Sequence, residues 1–423
     1  MTLRRQQASK TSAGYSCGMH KITDPAPGDP ALTDLFALPA DTLYLDTAAH
    51  GPRLRAVQDA AQAALDAGVA PWRVSASDWE ASIERVRARA AAVFDGDGGG
   101  KGDGDSDAVA LVPSAAYGLA IAARNLPLAA GDAVLVLDGQ FPSNLLPWQQ
   151  RCSEVGARMV AVRRVPDQGW TEAVLAALDA DPAIRVLALP HVHWHDGALL
   201  DLDRIAARAR DSGAALVLDL SQSLGALPAA IARWQPAFAV AVGHKWLLGA
   251  HGLAYLWAAP HWRDHGVSIE QHWLARDGGD AWHFPADRAA PYRAGARRYD
   301  AGGVADPLRL AMADAALQQV NDWGVARIAA ALRTRTAAFE AGLRECGLSH
   351  WATPGPVAHF LGVRPLRADV LAAVAAALGA AGVVVTTRHG LLRIAPYLQV
   401  GVDDLRRVAA IIGAVANAVP GRG

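Results

Sequence analysis

Cysteine is scarce in this chain of 423 residues: Cys17, Cys152 and Cys346 are odd in number and far apart. That spacing gives neither a disulfide framework nor a zinc site, and it fits a reducing, cytoplasmic compartment. An excess of either charge is lacking too. Lys and Arg number 40 against 41 Asp and Glu, and no basic run is interleaved with aromatics, so nucleic acid is not an expected partner. No apolar segment follows the early Arg4-Arg5 pair, which argues against a secretory signal. The opening residues through Asp29 read as a disordered tail, with Met19 a second candidate start, inside an arm that runs to residue 40. Long leucine-rich runs are absent as well. The one extended apolar stretch, Val370 to Val385, is mostly alanine with Gly379 and Gly382 inside it, and it reads as helix, turn and short strand rather than a membrane span.

What the chain has is hydrophobic bulk, 52% of its residues, enough for two domains or one large domain with a lobe. Leu43-Tyr44-Leu45 begins a short strand, and helical patterns follow over Arg53–Ala67 and Asp78–Phe94. Asp95 to Asp107, nearly all Gly and Asp, reads as a flexible surface connection and is too acidic for a phosphate loop. Apolar strand runs then alternate with helices: Ala108–Val112, Ala133–Leu137, Met159–Val162, Arg185–Leu189, and runs around Ala215, Phe238 and Leu253. Continuous apolar strands separated by helices imply an α/β fold with a mainly parallel sheet covered on both faces. Past Asp300 two long helical stretches, Asp306–Asn321 and Val325–Cys346, lead into a smaller α+β section. The expected division is therefore 41–300 for a large domain and 301–423 for a small one.

Two strand ends carry the chemistry. Ala215-Leu216-Val217-Leu218 ends on Asp219, and Phe238-Ala239-Val240-Ala241-Val242 is followed by Gly243-His244-Lys245. In an open α/β sheet the strand tips are where ligands bind. Taken singly, an Asp at a strand end is commonly a cap, and most lysines are solvated. Together they suit pyridoxal 5′-phosphate (PLP), which needs a lysine for its aldehyde and a carboxylate to keep its ring nitrogen protonated. Desolvation at the end of an apolar run would lower the lysine pKa and favour the nucleophilic amine.

Other residues fit around that pair, each with an ordinary structural role as the alternative. Ser114 and Ala115 open a helix after a strand, where backbone N–H groups attract phosphate or where Ser114 is simply an N-cap. Phe141, in the loop Gly139 to Asn144, either stacks on the ring or anchors the core. Gln222 either donates to the cofactor or caps a loop, and His244 would face the phosphate or the opposite wall. His191, His193 and His195 would share one face of an extended segment, but the outer two would lie about 13 Å apart, too far for three ligands of one metal. No metal is expected; one of these histidines is instead a candidate contact to the ring oxygen or an acid–base group.

With these residues in place, the chain resembles the class V aminotransferases, PLP enzymes of fold type I that include kynureninases, cysteine desulfurases and isopenicillin N epimerases. The resemblance runs from Tyr44 onward, through Leu45 to Pro52, Phe141-Pro142-Ser143-Asn144 with Pro147-Trp148, the Asp219-to-Lys245 block, Arg297 to Gly302, and Leu392 to Pro396. It implies a homodimer acting on an amino acid. Lys245 would be the Schiff-base residue, Asp219 the ring-nitrogen partner and Phe141 the stacking residue. His244 and the Ser114 region would bind phosphate, with Arg393 and Asn144 at the substrate. Outside the resemblance, Arg393 reads as a surface arginine in an edge strand.

Three departures stand out. Val242 replaces a phosphate-binding serine, and Gly303 replaces a threonine commonly lent by the neighbouring subunit, leaving phosphate to backbone amides or to Arg297 and Arg298. Thr386 to Leu391 has no cysteine where desulfurases carry their nucleophile. Transamination is accordingly the expected reaction, with a kynureninase-like or β-eliminating lyase, an epimerase and a non-catalytic binding protein as alternatives.

Overall fold

A computed structural model describes residues 30–96, 104–164, 169–279, 283–355 and 357–418. The expected tail with Cys17 and Met19, and residues 97–103 of the Gly/Asp insert, lie outside the described residues. The far end of that insert is tied down: Asp105 is ion-paired with Arg263, and Asp107 with Arg297.

Seven strands form the main sheet: β1 (Val109–Val112), β2 (Ala133–Leu137), β3 (Arg158–Val162), β4 (Ile184–Pro190), β5 (Ala215–Asp219), β6 (Phe238–Val242) and β7 (Ala254–Ala258). Their order is β1-β7-β6-β5-β4-β2-β3, with β7 antiparallel to both of its neighbours and the other pairings parallel. Alternation of side chains explains why the strands read as unbroken apolar runs. Leu135, Leu187, Leu218 and Ala241 enter the core on one face, while Val134, Val136, Val217 and Val240 enter the core on the other. Helix α3 (Ala115–Asn125) packs tightly onto the second face. A Cβ on its Gly118 would lie 2.8 Å from Val240 Cγ2, so only glycine fits there.

Register brings the functional ends together. Pro190 pairs with Asp219, Asp219 with Val240, and Val242 with Ala254, which also pairs with Val112. The carboxyl ends of β1, β4, β5 and β6 and the start of β7 therefore share one edge of the sheet. Pro190, with no N–H to give a ladder, sits at the last position of β4, where a strand tolerates it.

Helices α1 (Arg55–Ala67), α2 (Ala76–Phe94) and α7 (Pro307–Trp323) pack together at the side of the sheet; α4 (Leu146–Val155), α5 (Gly169–Ala180) and α6 (Leu202–Ser212) alternate with its strands. A buried ion pair ties α2 to the late Arg297–Gly302 segment. Arg87 grips Asp300 with two hydrogen bonds of 3.0 and 2.7 Å, and Asp300 also accepts from the Leu111 backbone N–H at 2.8 Å. That geometry satisfies both charges, which is what makes their burial tolerable.

A second layer follows. Strands β8 (Leu361–Val363), β9 (Thr386–Arg388) and β10 (Leu391–Ile394) form an antiparallel sheet of order β9-β10-β8. Helices α9 (Ala368–Ala380) and α10 (Val402–Ala418) complete it, and the Val370–Val385 stretch is helix, turn and strand as expected. Helix α8 (Val325–Glu345) joins the two cores. Its Ile328 and Leu332 belong to the main core, whereas Phe339 and Leu343 pack with Leu45, Leu392 and Ile412. Each such fully buried side chain contributes about 1.5–3 kcal/mol. Among the described residues no helix is long and apolar enough to cross a membrane.

Candidate active site

At the shared strand edge lies a cavity of about 330 Å³. Every wall traces to a strand end: Pro113, Ser114 and Ala115 after β1, Gln140 and Phe141 after β2, Val192 and Trp194 after β4, Asp219 and Gln222 at β5, and His244 and Lys245 after β6. The small sheet closes it with Arg388 and Arg393.

Lys245 sits in a loop whose backbone is fixed from several sides. Gly249 N–H donates to Gly243 O at 2.8 Å, and Gly51 N–H donates to His244 O at 2.8 Å. The segment Thr47 to Gly51 presses so closely that a Cβ on Gly51 would lie 2.2 Å from Lys245 O. Leu248 adopts a left-handed φ of 58°, a strained state for a bulky residue that the surrounding bonds hold in place. Burial pushes the Lys245 ammonium down to about 8, with Arg393 and Arg388 adding to the effect and Asp219 and Asp46 opposing it. Its Nζ lies 5.4 Å from the centroid of the Phe141 ring.

Asp219 and Gln222 are held by different means. One Asp219 oxygen accepts from Ser221 N–H at 3.0 Å. Gln222 is clamped at three points: its amide donates to Ala48 O at 2.9 Å, its carbonyl oxygen accepts from Trp246 Nε1 at 2.9 Å, and its backbone oxygen accepts from His359 Nε2 at 2.6 Å. Loop bracing and a place in the cavity wall thus coexist in Gln222. Ser114 caps α3 through Tyr117 N–H at 3.1 Å, which aims the first amides of that helix at the cavity edge.

One end of the cavity is built of imidazoles. His244 stacks on His251 with centroids 3.5 Å apart, and His50 lies 5.7 and 5.4 Å from the two. Burial, reinforced by His251, Lys245 and His50, pushes His244 down to about 3; burial also lowers His251. At the other end Arg393 is 2% exposed and lies on the central strand of its sheet, so the edge-strand surface reading does not hold. It donates to Asp46 Oδ1 at 2.8 Å and to Trp194 O at 3.1 Å.

Lys245, Asp219, Ser114, Ala115, Phe141, Gln222, His244 and Arg393 line this one cavity; Asn144 does not. Asn144 is fully buried beneath it and accepts from Trp148 Nε1 at 3.1 Å. Arg297 and Arg298 are also elsewhere, the first paired with Glu84 and Asp107 and the second donating to Gly266 O at 2.8 Å. Neither lines the cavity. The segment from His191 to Asp196 bends after Pro190 instead of continuing as a strand, and its histidines part company. His191 meets the Trp234 ring at 4.9 Å, His193 donates to Asp196 at 2.9 Å, and His195 donates to Arg388 O at 3.0 Å. Among the described residues no group of three or more His, Cys, Asp or Glu side chains is placed to hold a metal. Sequence reasoning had missed His251, Ser221, Gln140, Arg388 and the Asp46 clamp on Arg393. A histidine inside the Gly249–Gly252 turn was the available signal for the first.

The cavity fits PLP on its own evidence. Of the side chains lining it, Gln140 Nε2, Ser221 Oγ and Arg393 Nε are buried without a hydrogen-bond partner. A polar guest is needed to satisfy such groups. An aromatic face at Phe141, an acid at Asp219, a depressed amine at Lys245 and donors at the α3 end match a flat ring bearing an aldehyde and an anionic arm.

Fold and site together define a PLP-dependent enzyme of fold type I. The chain belongs to the class-V aminotransferase family, whose description matches residues 43–397. It is similar to an uncharacterized aminotransferase, YcbU, of Bacillus subtilis (strain 168), 27% identical over 311 residues covering 72% of this chain and 78% of that protein. It is 28% identical over 212 residues to a cysteine desulfurase of Klebsiella pneumoniae (strain 342), a match spanning only 48% of each chain. Among solved structures, an apo cysteine desulfurase from Thermococcus onnurineus NA1 superimposes with TM-score 0.77 at 16% identity, covering 93% of this chain and 99% of that one. The C-DES protein, as a lysine-to-alanine mutant with glycine covalently linked to its PLP cofactor, does so with TM-score 0.77 at 18% identity, covering 88% and 97%.

Proposed function

We propose that the chain is an aminotransferase that uses Lys245 both to hold PLP and to move the substrate's alpha proton. The observation that carries this is a half-buried lysine with its pKa pushed down to about 8, in one cavity with Asp219 and Arg393. When bound, PLP supplies an electron sink for the charge left on the alpha carbon. The protein's own groups do the rest. Lys245, about a tenth neutral at pH 7, would hold the cofactor's aldehyde through its amine and, once substrate frees it, would take the alpha proton and pass it to the cofactor. Asp219 keeps a proton on the ring nitrogen, since its free oxygen is the acceptor on that side of the cavity. Phe141 fixes the tilt of the ring, and Arg393 takes the substrate's carboxylate. With water to release the 2-oxo acid and a second 2-oxo acid to take up the amino group, a transamination asks no further acid or nucleophile of the protein.

A lyase needs the same early steps, and C-DES is named a cystine C–S lyase. Among the described residues no sulfur-accepting thiol lines the cavity: Cys152 lies in helix α4 against Met159 and Cys346 ends helix α8 against Gly413. We take the active unit to be a cytoplasmic homodimer. Exposed apolar side chains after α1, including Val69 and Trp72, both 79% exposed, support a covering partner. Incubating the holoenzyme with an amino-acid panel, with and without a 2-oxo acid, tests the reaction. Transamination requires the acceptor and yields the new amino acid. Acceptor-independent turnover releasing a side-chain fragment would make the enzyme a lyase, and loss of optical activity alone would make it an epimerase.

A further inference from the structure

Arg388 has no part in the reaction as written, yet it lines the cavity beside Arg393 and Lys245. It ends strand β9, at a hairpin whose next residues, His389 and Gly390, hold left-handed φ angles of 48° and 76°. Its backbone is pinned: Arg388 pairs with Leu391 in the sheet, and its carbonyl accepts from His195 Nε2 at 3.0 Å. Its guanidinium carbon lies 6.0 Å from the centroid of the Trp194 ring, which meets Phe141 edge to face at 5.3 Å. The exposed side chain thus lies beside Trp194, which in turn meets the ring of Phe141. Whereas Arg393 is clamped by Asp46, the Arg388 guanidinium pairs with no carboxylate among the described residues.

The charges at this end do not balance. Lys245, Arg388 and Arg393 face Asp219 and Asp46, and the two arginines each disfavour the charged form of Lys245. One anionic group on the substrate accounts for Arg393. A second would meet Arg388, which is exposed at the cavity wall without a carboxylate partner among the described residues and whose planar fork suits one. We infer that the substrate is an amino acid whose side chain ends in a carboxylate, which Arg388 grips over the face of Trp194 while Arg393 takes the alpha carboxylate. The inference rests on the amino-acid reading above and specifies the substrate class.

The test has two arms. In the first, holoenzyme of the wild type, Arg388→Gln and Arg388→Lys is titrated with L-aspartate and L-glutamate and with their amides, following the cofactor's absorption. The wild type should bind the acid at least about ten-fold more tightly than the amide. Arg388→Gln should erase that preference while leaving amide binding within about two-fold, and Arg388→Lys should restore part of it. Equal binding of acid and amide by the wild type, or equal weakening of both by Arg388→Gln, would overturn the inference. In the second arm, calorimetry of cofactor-free protein with succinate and glutarate reads the same grip without the cofactor: Arg388→Gln should weaken both, and an unchanged affinity would count against it. Failure of the wild type to take up PLP would instead sink the functional reading, with the second arm still deciding on Arg388.

Discussion

The two ends of the cavity handle an anion in opposite ways. At one end His50, His244 and His251 crowd together, and burial pushes His244 down to about 3, well below neutral pH, and lowers His251 as well. At the other, the guanidinium groups are charged before any ligand comes, and Arg393 is held in position by Asp46 and Trp194. On the proposed reading the first end would gain charge only by taking up protons as an anion binds, whereas the second is organised in advance. Lys245 shares the cavity with both sets: Arg393 and Arg388 add to the burial that depresses it, and its own charge helps to lower His244. On the proposed reading, imidazoles and the α3 amides would serve the phosphate where Val242 stands in place of the usual serine.

The largest expected effect strikes the residue both ends share. Lys245→Ala should reduce turnover by at least about a thousand-fold, leaving the melting temperature within a few degrees, as read by steady-state kinetics and calorimetry. Full activity in that variant would remove the comparison altogether. Arg393→Lys tests the organised end. It loses the paired hold on a carboxylate and the bond to Asp46, so KM should rise about 10–100-fold, with a smaller change in kcat. Replacing His251 with Gln tests the adaptive end. PLP affinity, measured by equilibrium dialysis, should fall about ten-fold. Proton uptake on PLP binding, read by calorimetry in buffers of different ionisation enthalpy, should also diminish.

The smallest effect concerns stability. Burial pushes His191 down to about 4 and His359 to about 3, so the unfolded chain binds more protons than the folded one between those values and the ordinary histidine pKa of 6.5. Stability from these residues is complete above pH 6.5 and drains away as pH falls toward 4 and then 3. The melting temperature should decline over that window, and His359→Gln should flatten the decline. A melting temperature constant from pH 7 to pH 4 would contradict the buried neutral state.

Much of this site was legible because strand periodicity fixes where a strand ends, and the ends carry the chemistry. Asp219 and Lys245 follow unbroken apolar runs, and Ser114 sits where such a run gives way to a helix. Asn144 was misplaced because its motif lies in a loop and only packing decides which way a loop amide points; here it turns inward to Trp148. Arg388 and His251 were invisible for a related reason. Each stands in a short turn-rich segment without periodicity, and the cavity reaches them only through contacts between distant parts of the chain. The same applies to Asp46 and Arg393, 347 positions apart and joined by one ion pair.

The account turns on Lys245 being the amine that takes the cofactor, and on its depressed pKa. Apo protein mixed with PLP across pH 6 to 11, reduced with borohydride and mapped by mass spectrometry, measures both at once. Label on Lys245, with a rate of capture rising through a midpoint near pH 8, is the predicted result. Label on Lys10, Lys21 or Lys101 instead, or a midpoint near the unperturbed 10.5, would contradict it.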